Sequence, residues 1–412
     1  MRIIIINYYY APAIDAHAYR WTQISQHWAS QGFDVEVITC RIKGMPSKSI
    51  ESSVKIFRTG LTSRSPSTST SQTIKTIRST IKSKIIDFLR PAYRKFYWPD
   101  ALWHWFPFAL LALLQRRKEK YDLVVSYYPS YSAHLAALIF KKISTKSNFK
   151  WILDYGDPFC TSESWMPNNY AIYNKLNKYI ELKCNNHGEM IFTNTETANA
   201  YRDKLSTKNE FKVIAHIGDI KKFYAHSKVN SIPKNQSIKL CYIGAFHPKI
   251  REPYRLFKLI KKLIEINGID IELSIYGPTN GFNLSPNDCP QIKHHGYIQR
   301  DNAIEVMKSA DFIITIDNEN CIMTPSKNVE CIATGRPIIN IANPSVSYEP
   351  MNNYIEAGYA VSVMDKDISD AAVSEVHAFI LRHHGSASAP FETVQRVLSA
   401  HLLENVAAAY LT

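Results

Sequence analysis

The sequence predicts an α/β protein built from two Rossmann-like, doubly wound parallel-sheet domains. Three observations lead there. Short β-branched runs alternate with longer amphipathic stretches, the pattern of βαβ units. A polar stretch near residue 230 interrupts that alternation, which then restarts. The length of 412 residues with 45% hydrophobic side chains gives room for two sizeable cores and excludes a disordered, fibrous or collagen-like chain.

In the first half the strand candidates are 3–7, 35–39, 54–58, 123–126, 151–154 and 190–193, with a helix around 20–30 stopped by Gly32. In the second half they are 239–243, 272–276, 292–295, 312–316 and 337–340, with helices over 253–266 and 303–309. Residues 1–220 are expected to form one domain and 238–375 the other. The segment 221–237, KKFYAHSKVNSIPKNQS, reads as the linker. Residues 376–412 read as helices, broken at Gly385–Pro390, that pack back on the amino-terminal domain. Two such sheets bind ligands outside the carboxyl ends of their strands, so a central cleft between the domains is expected.

The formal charge is +13, which points to a polyanionic partner or an anionic membrane. Residues 55–120 hold 14 Lys and Arg against three acids, nearly all of that excess. Within them Ile74, Ile77, Ile81, Ile85 and Phe88 recur at helical spacing, followed by Tyr93, Phe96, Tyr97, Trp98, Trp103 and Trp105. A basic amphipathic helix with such aromatics suits a bilayer interface. The ordinary alternative is a helix packed on its own domain. No nucleic-acid module accompanies the charge, so no nucleic-acid partner is expected.

Seven cysteines, odd in number and without CxxC spacing, indicate neither a disulfide framework nor a thiolate zinc site. The opening MRIIIINYYYAP is one strand long and lacks a signal peptide's basic start and cleavage site. The apolar run 101–114 is short of the ~20 residues that span a bilayer. The expectation is a cytoplasmic protein, with 55–120 a candidate for peripheral contact with the inner face of the cell membrane.

The most informative stretch is TPSKNVECIATGRPIIN, residues 324–340. Thr324 is placed as a helix N-cap, Pro325 as the first helical residue and Gly335 as the stop. Ser326, Lys327 and Glu330 then lie on adjoining parts of one face. Free N–H groups, the helix dipole and a lysine make an anion site, and Glu330 can accept from a ribose diol. The plainer reading is a capped surface helix with a Lys327–Glu330 ion pair.

This segment resembles the PSK…E…TG(R/K)P element of GT-B glycosyltransferases, especially the retaining family-4 type found among bacterial surface-polysaccharide enzymes. IIIINYYYAP…YRW, WILDYGDPF, LCYIGAFHPKIREP, IYGPTNG and HHGYIQRDNAIEVMKSADFIITI resemble further stretches of that family, in order, over most of the chain. The resemblance implies a GT-B architecture and a nucleotide-diphosphate sugar as donor substrate, with no permanently bound cofactor and no metal. It implies that Arg251, seven positions after Gly244, and Lys327 meet the diphosphate, that Glu330 meets the ribose, and that Gly244 lets backbone approach the donor. The plain reading of Arg251 is a loop arginine paired with Glu252.

Departures fall on the sugar side. The family's second glutamate is Ile322 here, the arginine often following the first glycine is Ala245, and the glycine pair of the first loop is Ile14-Asp15-Ala16. Tyr127 stands where a histidine is frequent. In the amino-terminal domain Asp154 and Asp157 flank Gly156 at a strand's carboxyl end. They are candidates to orient an acceptor or donor-sugar hydroxyl, with a turn-capping Asp157 as the alternative. Asp15, His17 and Arg20 line the first loop on the acceptor side, with Arg20 a candidate to reach a phosphate. His134 reads as a helix-face histidine. His294-His295 and His383-His384 lack metal-ligand spacing.

The function implied is sugar transfer to a glycan or lipid-linked glycan acceptor, as in capsule, O-antigen or lipopolysaccharide synthesis, with retained configuration. Two other readings stay open: a GT-B-fold nucleotide-sugar epimerase, and a non-enzymatic basic protein that binds polyanions.

Overall fold

Runs of Ile and Val set two parallel sheets. The computed structural model describes residues 1–13, 16–63, 97–146, 148–161, 171–206, 211–225, 237–284, 289–321 and 327–412. Two units divide the chain: Met1–Ala215 with Val406–Thr412, and His216–Asn405. Asp15, Thr324, Ser326, residues 64–96 of the basic segment and most of the linker stretch lie outside the described residues.

The first unit carries β1 (Arg2–Ile6), β2 (Asp34–Ile42), β3 (Lys48–Glu51), β4 (Val54–Ser63), β5 (Leu123–Tyr128), β6 (Lys150–Tyr155), β7 (Glu189–Phe192) and β8 (Lys212–Val213). Their order is β3-β4-β2-β1-β5-β6-β7-β8, parallel except for β3. The second unit carries β9 (Ile238–Ile243), β10 (Ile271–Tyr276), β11 (Ile292–His294), β12 (Phe312–Ile316), β13 (Ile338–Ile341) and β14 (Ala360–Val363). These are all parallel, in the order β11-β10-β9-β12-β13-β14.

Both sheets are covered on two faces, which is why their strands read as unbroken apolar runs. In the second unit Phe312 and Ile314 pack with Leu240 and Leu273 on one face. The intervening Ile313 joins Ile338, Ile332 and Leu398 on the other. The connections reverse direction at β1, which pairs with both β2 and β5, and at β9, which pairs with both β10 and β12. Such reversal points are where open α/β sheets bind ligands.

Three strands go beyond the sequence expectation: β3, β8 and β14. The β3–β4 hairpin turns through Ser52 and Ser53, both at positive φ, where no glycine or asparagine marks a turn. Part of the aromatic run serves the fold rather than an interface. Trp105 is buried and donates to the Thr59 carbonyl, and Trp98 donates to Asn177 Oδ1. The apolar stretch after it forms a helix, Phe106–Leu114. Among the described residues no helix is long and apolar enough to cross a membrane.

His134, on the helix Tyr131–Ile143, lies fully inside the first unit. Its Nδ1 meets Ser126 Oγ at 2.7 Å, and Ser126 also accepts from Trp151 Nε1. Burial pushes the imidazole down to about 3. The unfolded chain therefore takes up a proton below about 6.5 that the fold refuses. Stability from this group is complete above that pH and is lost as the pH falls toward 3. His134→Gln should shrink the stability difference between pH 7 and pH 4 by roughly 3 kcal/mol, read from urea midpoints at the two pH values. An unchanged difference would show that His134 is hydrated in the native state.

Candidate functional site

In the second unit the loop after β9 folds tightly. His247 and Arg251 exchange backbone hydrogen bonds of 2.9 and 2.8 Å. This turns the Arg251 guanidinium toward the segment after β12, where Nη2 and Nε donate to Asn318 Oδ1 at 2.6 and 3.2 Å. Nη1 lies 3.5 Å from the Ala245 carbonyl oxygen. Asn318 is itself braced, because Asn343 Nδ2 donates to its carbonyl at 2.8 Å. Arg251 thus bridges the carboxyl ends of β9 and β12, the reversal point of this sheet. Among the described residues it forms no ion pair, and Glu252 instead accepts from the Lys249 amide.

Gly244 opens the same loop, its amide donating to the Tyr276 carbonyl at 2.9 Å. Opposite it Gly277 adopts φ +133°, and a Cβ there would stand 2.2 Å from the Gly244 carbonyl oxygen. Only glycine lets the ends of β9 and β10 approach so closely. Buried Asp317 takes Asn343 N at 3.2 Å and Asn340 Nδ2 at 3.3 Å. Burial pushes its carboxyl up, while those bonds and the Arg251 and Arg255 charges pull it back.

The helix of the 324–340 element spans Lys327–Ala333 among the described residues. Glu330 is held on both oxygens, by Lys327 Nζ at 2.8 Å and Arg300 Nη2 at 2.6 Å. The Lys327–Glu330 pair of the plainer reading is therefore present, joined by a second cation that the sequence reading missed. Arg300 opens the helix Arg300–Ser309, and its only sequence signal was a basic residue at a helix start. Two cations on one carboxylate leave the cluster net positive.

In the first unit His17, on the first turn of the helix Ala16–Ser30, meets Tyr127 Oη through Nδ1 at 2.9 Å. Its Nε2 is 3.6 Å from Asp157 Oδ2. A Cβ on Gly156 would lie 2.1 Å from the Tyr127 hydroxyl, so glycine is what lets that ring reach His17. These three groups, contributed by the segments after β1 and β6 and by β5 itself, gather at the reversal point of the first sheet.

Asp154 and Arg20 are placed otherwise. Neither lines an open loop. Both are buried, with Asp154 Oδ2 accepting from Trp21 Nε1 at 3.0 Å and Arg20 Nε at 3.4 Å. Arg20 also donates to the Ala215 and Ile214 carbonyls and to the Tyr410 hydroxyl, tying the last residues of the chain into this unit. Burial raises the Asp154 carboxyl, and Arg20 opposes the shift. His134 lies in the core, as described above. Among the described residues no group of three or more His, Cys, Asp or Glu is arranged to hold a metal ion.

No family model and no curated protein matches the sequence. Solved structures do share the fold. Sucrose-phosphate synthase from Thermosynechococcus elongatus superposes with a TM-score of 0.63 at 14% identity, over 100% of this chain and 97% of that one. Anabaena HepE in complex with UDP gives 0.60 at 10%, over 100% and 98%. The lipopolysaccharide outer core galactosyltransferase WaaB in its apo form gives 0.59 at 12%, over 100% and 98%. The fold class is the GT-B α/β architecture expected above, with two parallel-sheet domains.

The two aspartates of the first unit should separate on mutation. Asp154→Ala strands the buried Arg20 and should cost roughly 3–5 kcal/mol, whereas Asp157→Ala should stay within about 0.5 kcal/mol of the parent. Urea unfolding checks both, and equal midpoints would contradict the burial assignment.

Proposed function

We propose that the protein transfers a sugar from a nucleotide-diphosphate sugar to a glycan or lipid-linked glycan acceptor. The observation that carries this reading is Arg251, a cation held by neutral oxygens across the reversal point of a sheet whose fold is shared with glycosyltransferases. A diphosphate placed there meets a charge that no ion pair among the described residues neutralises. Lys327 supplies a second cation, with Gly244, Thr324 and Ser326 offering backbone and hydroxyl contacts. Glu330, clamped by Lys327 and Arg300, retains lone pairs for a ribose hydroxyl. HepE, a structure of like fold, has been solved with UDP and with UDP-glucose, which supports the same donor class here.

The first unit presents the acceptor. His17, Tyr127 and Asp157 form a hydrogen-bonding group suited to orient a hydroxyl, while Asp154 and Arg20 act from the core as positioning residues. In the reaction the bond from the anomeric carbon to the phosphate oxygen breaks and the acceptor oxygen bonds to that carbon. With configuration retained, the acceptor proton passes to the departing phosphate oxygen on the same face. Negative charge grows on the leaving diphosphate, where Arg251 and Lys327 stabilise it. This reading calls for no metal.

The basic segment 55–120 supports an acceptor at the inner face of a cell membrane, in surface-polysaccharide synthesis. The likeness to WaaB supports the same class.

Arg251→Ala and Lys327→Ala should each lower kcat/KM by about 100-fold or more while leaving the thermal midpoint near the parent's. The assay is turnover of a panel of nucleotide sugars, with and without acceptor glycans. Parent-like rates in both variants would remove this donor site.

A further inference from the structure

The helix Ala171–Asn185 in the first unit carries apolar side chains on two sides: Cys184 lies in the core with Ile180 and Leu182 packed against it, and a second apolar stripe faces outward. Its inward face carries Asn177, Glu181 and Cys184, all buried. Asn177 accepts from Trp98 Nε1 at 2.7 Å, and Glu181 Oε1 accepts from the Tyr201 hydroxyl at 2.9 Å. Ile172, Leu176 and Tyr179, at i, i+4 and i+7, form a stripe on the opposite face and are 78%, 40% and 57% exposed. A surface helix ordinarily turns such a stripe inward.

The charge around the stripe has one sign. Lys175 and Lys183 flank it and Lys178 lies further round, while the helix's single acid, Glu181, is buried. Lys183 Nζ donates to the Tyr179 hydroxyl at 3.1 Å and lies over its ring, 5.2 Å from the centroid. An apolar stripe edged by lysines and a tyrosine has the chemistry of a helix lying in a headgroup region.

We propose that this face of the Ala171–Asn185 helix docks on an anionic phospholipid surface, with Ile172, Leu176 and Tyr179 inserted and Lys175 and Lys183 at the headgroups. Charge complementarity decides the occupant. The chain's own basic segment and a second copy of this lysine-edged face would both bring positive charge to positive charge. The stripe's residues fall outside 55–120 in the sequence, and the proposal rests on and deepens the lipid-linked acceptor part of the reading above. Nucleotide-sugar hydrolysis in solution reads the donor site separately.

The test is flotation of the full chain with phosphatidylcholine vesicles, alone or mixed with phosphatidylglycerol. The parent should bind the mixed vesicles and not the neutral ones. Ile172→Ser/Leu176→Ser/Tyr179→Ser, and separately Lys175→Glu/Lys183→Glu, should each weaken binding about tenfold or more, with solution hydrolysis unchanged. Leu176→Trp gives a reading that does not depend on how the triple variant folds: its fluorescence should shift to the blue on mixed vesicles only. Absent parent binding, parent-like flotation of both variants, or unshifted emission from the Leu176→Trp variant would overturn the proposal. So would light scattering that shows a dimer in the parent and a monomer in the triple variant, since a second copy would then cover the stripe.

Discussion

A guanidinium held by neutral oxygens is the constraint on which the donor side depends. Arg251 reaches Asn318 because β9 and β12 are hydrogen-bonded neighbours running the same way, so the segments that follow them leave from one edge. Asp317 is the obvious competitor for that cation, one residue before Asn318. The Asn343 amide and the Asn340 side chain occupy one of its oxygens, and the two groups interact without forming an ion pair. A carboxylate in direct contact would have cancelled the charge. An amide oxygen orients the guanidinium and leaves its charge available.

The first unit distributes its polar groups by depth. Asp154 sits near the end of β6 with its side chain in the core, where a buried carboxylate persists only with a cation and hydrogen-bond donors beside it. Arg20 and Trp21 supply them. Three residues on, past Gly156, Asp157 has left the strand and faces His17 in a half-exposed setting. The same short stretch therefore holds one aspartate that secures the fold and one available to a ligand. Tyr127 joins the two regions, its ring buried and its hydroxyl against His17.

Strands that are buried on both faces announce themselves as β-branched runs, and β1, β2, β5, β9 and β12 were legible for that reason. The hairpin to β3 was hidden because Ser52 and Ser53 take the left-handed conformation without a glycine or asparagine. β8 has two residues and β14 four, too few to show a period. On the candidate site, Arg251 comes from the family resemblance and Lys327 from the 324–340 element. The clamp of Arg300 on Glu330 comes from neither, since it joins residues 30 apart through the fold. The sequence reads Arg20 on the first loop and Asp154 at a strand's carboxyl end, and neither position tells of Tyr410, 390 residues from Arg20, whose hydroxyl takes a hydrogen bond from it.

The rotation of the Ala171–Asn185 helix has an energetic reason. Turning it half a revolution would bury Ile172, Leu176 and Tyr179, a gain of about 1.5–3 kcal/mol for each side chain fully removed from water. The same turn would strip Asn177 of Trp98 and Glu181 of Tyr201, and would leave Trp98 and Tyr201 without those acceptors. Burial pushes the Glu181 carboxyl up to about 7, so near neutral pH much of it is protonated and its place inside costs less than a full charge would. Those hydrogen bonds, together with Cys184, Ile180 and Leu182 on the core, set the helix's rotation against the pull of its outward stripe. A fold that keeps such a stripe in water gives up burial it could otherwise have gained, and a surface that covers the stripe in use restores that burial.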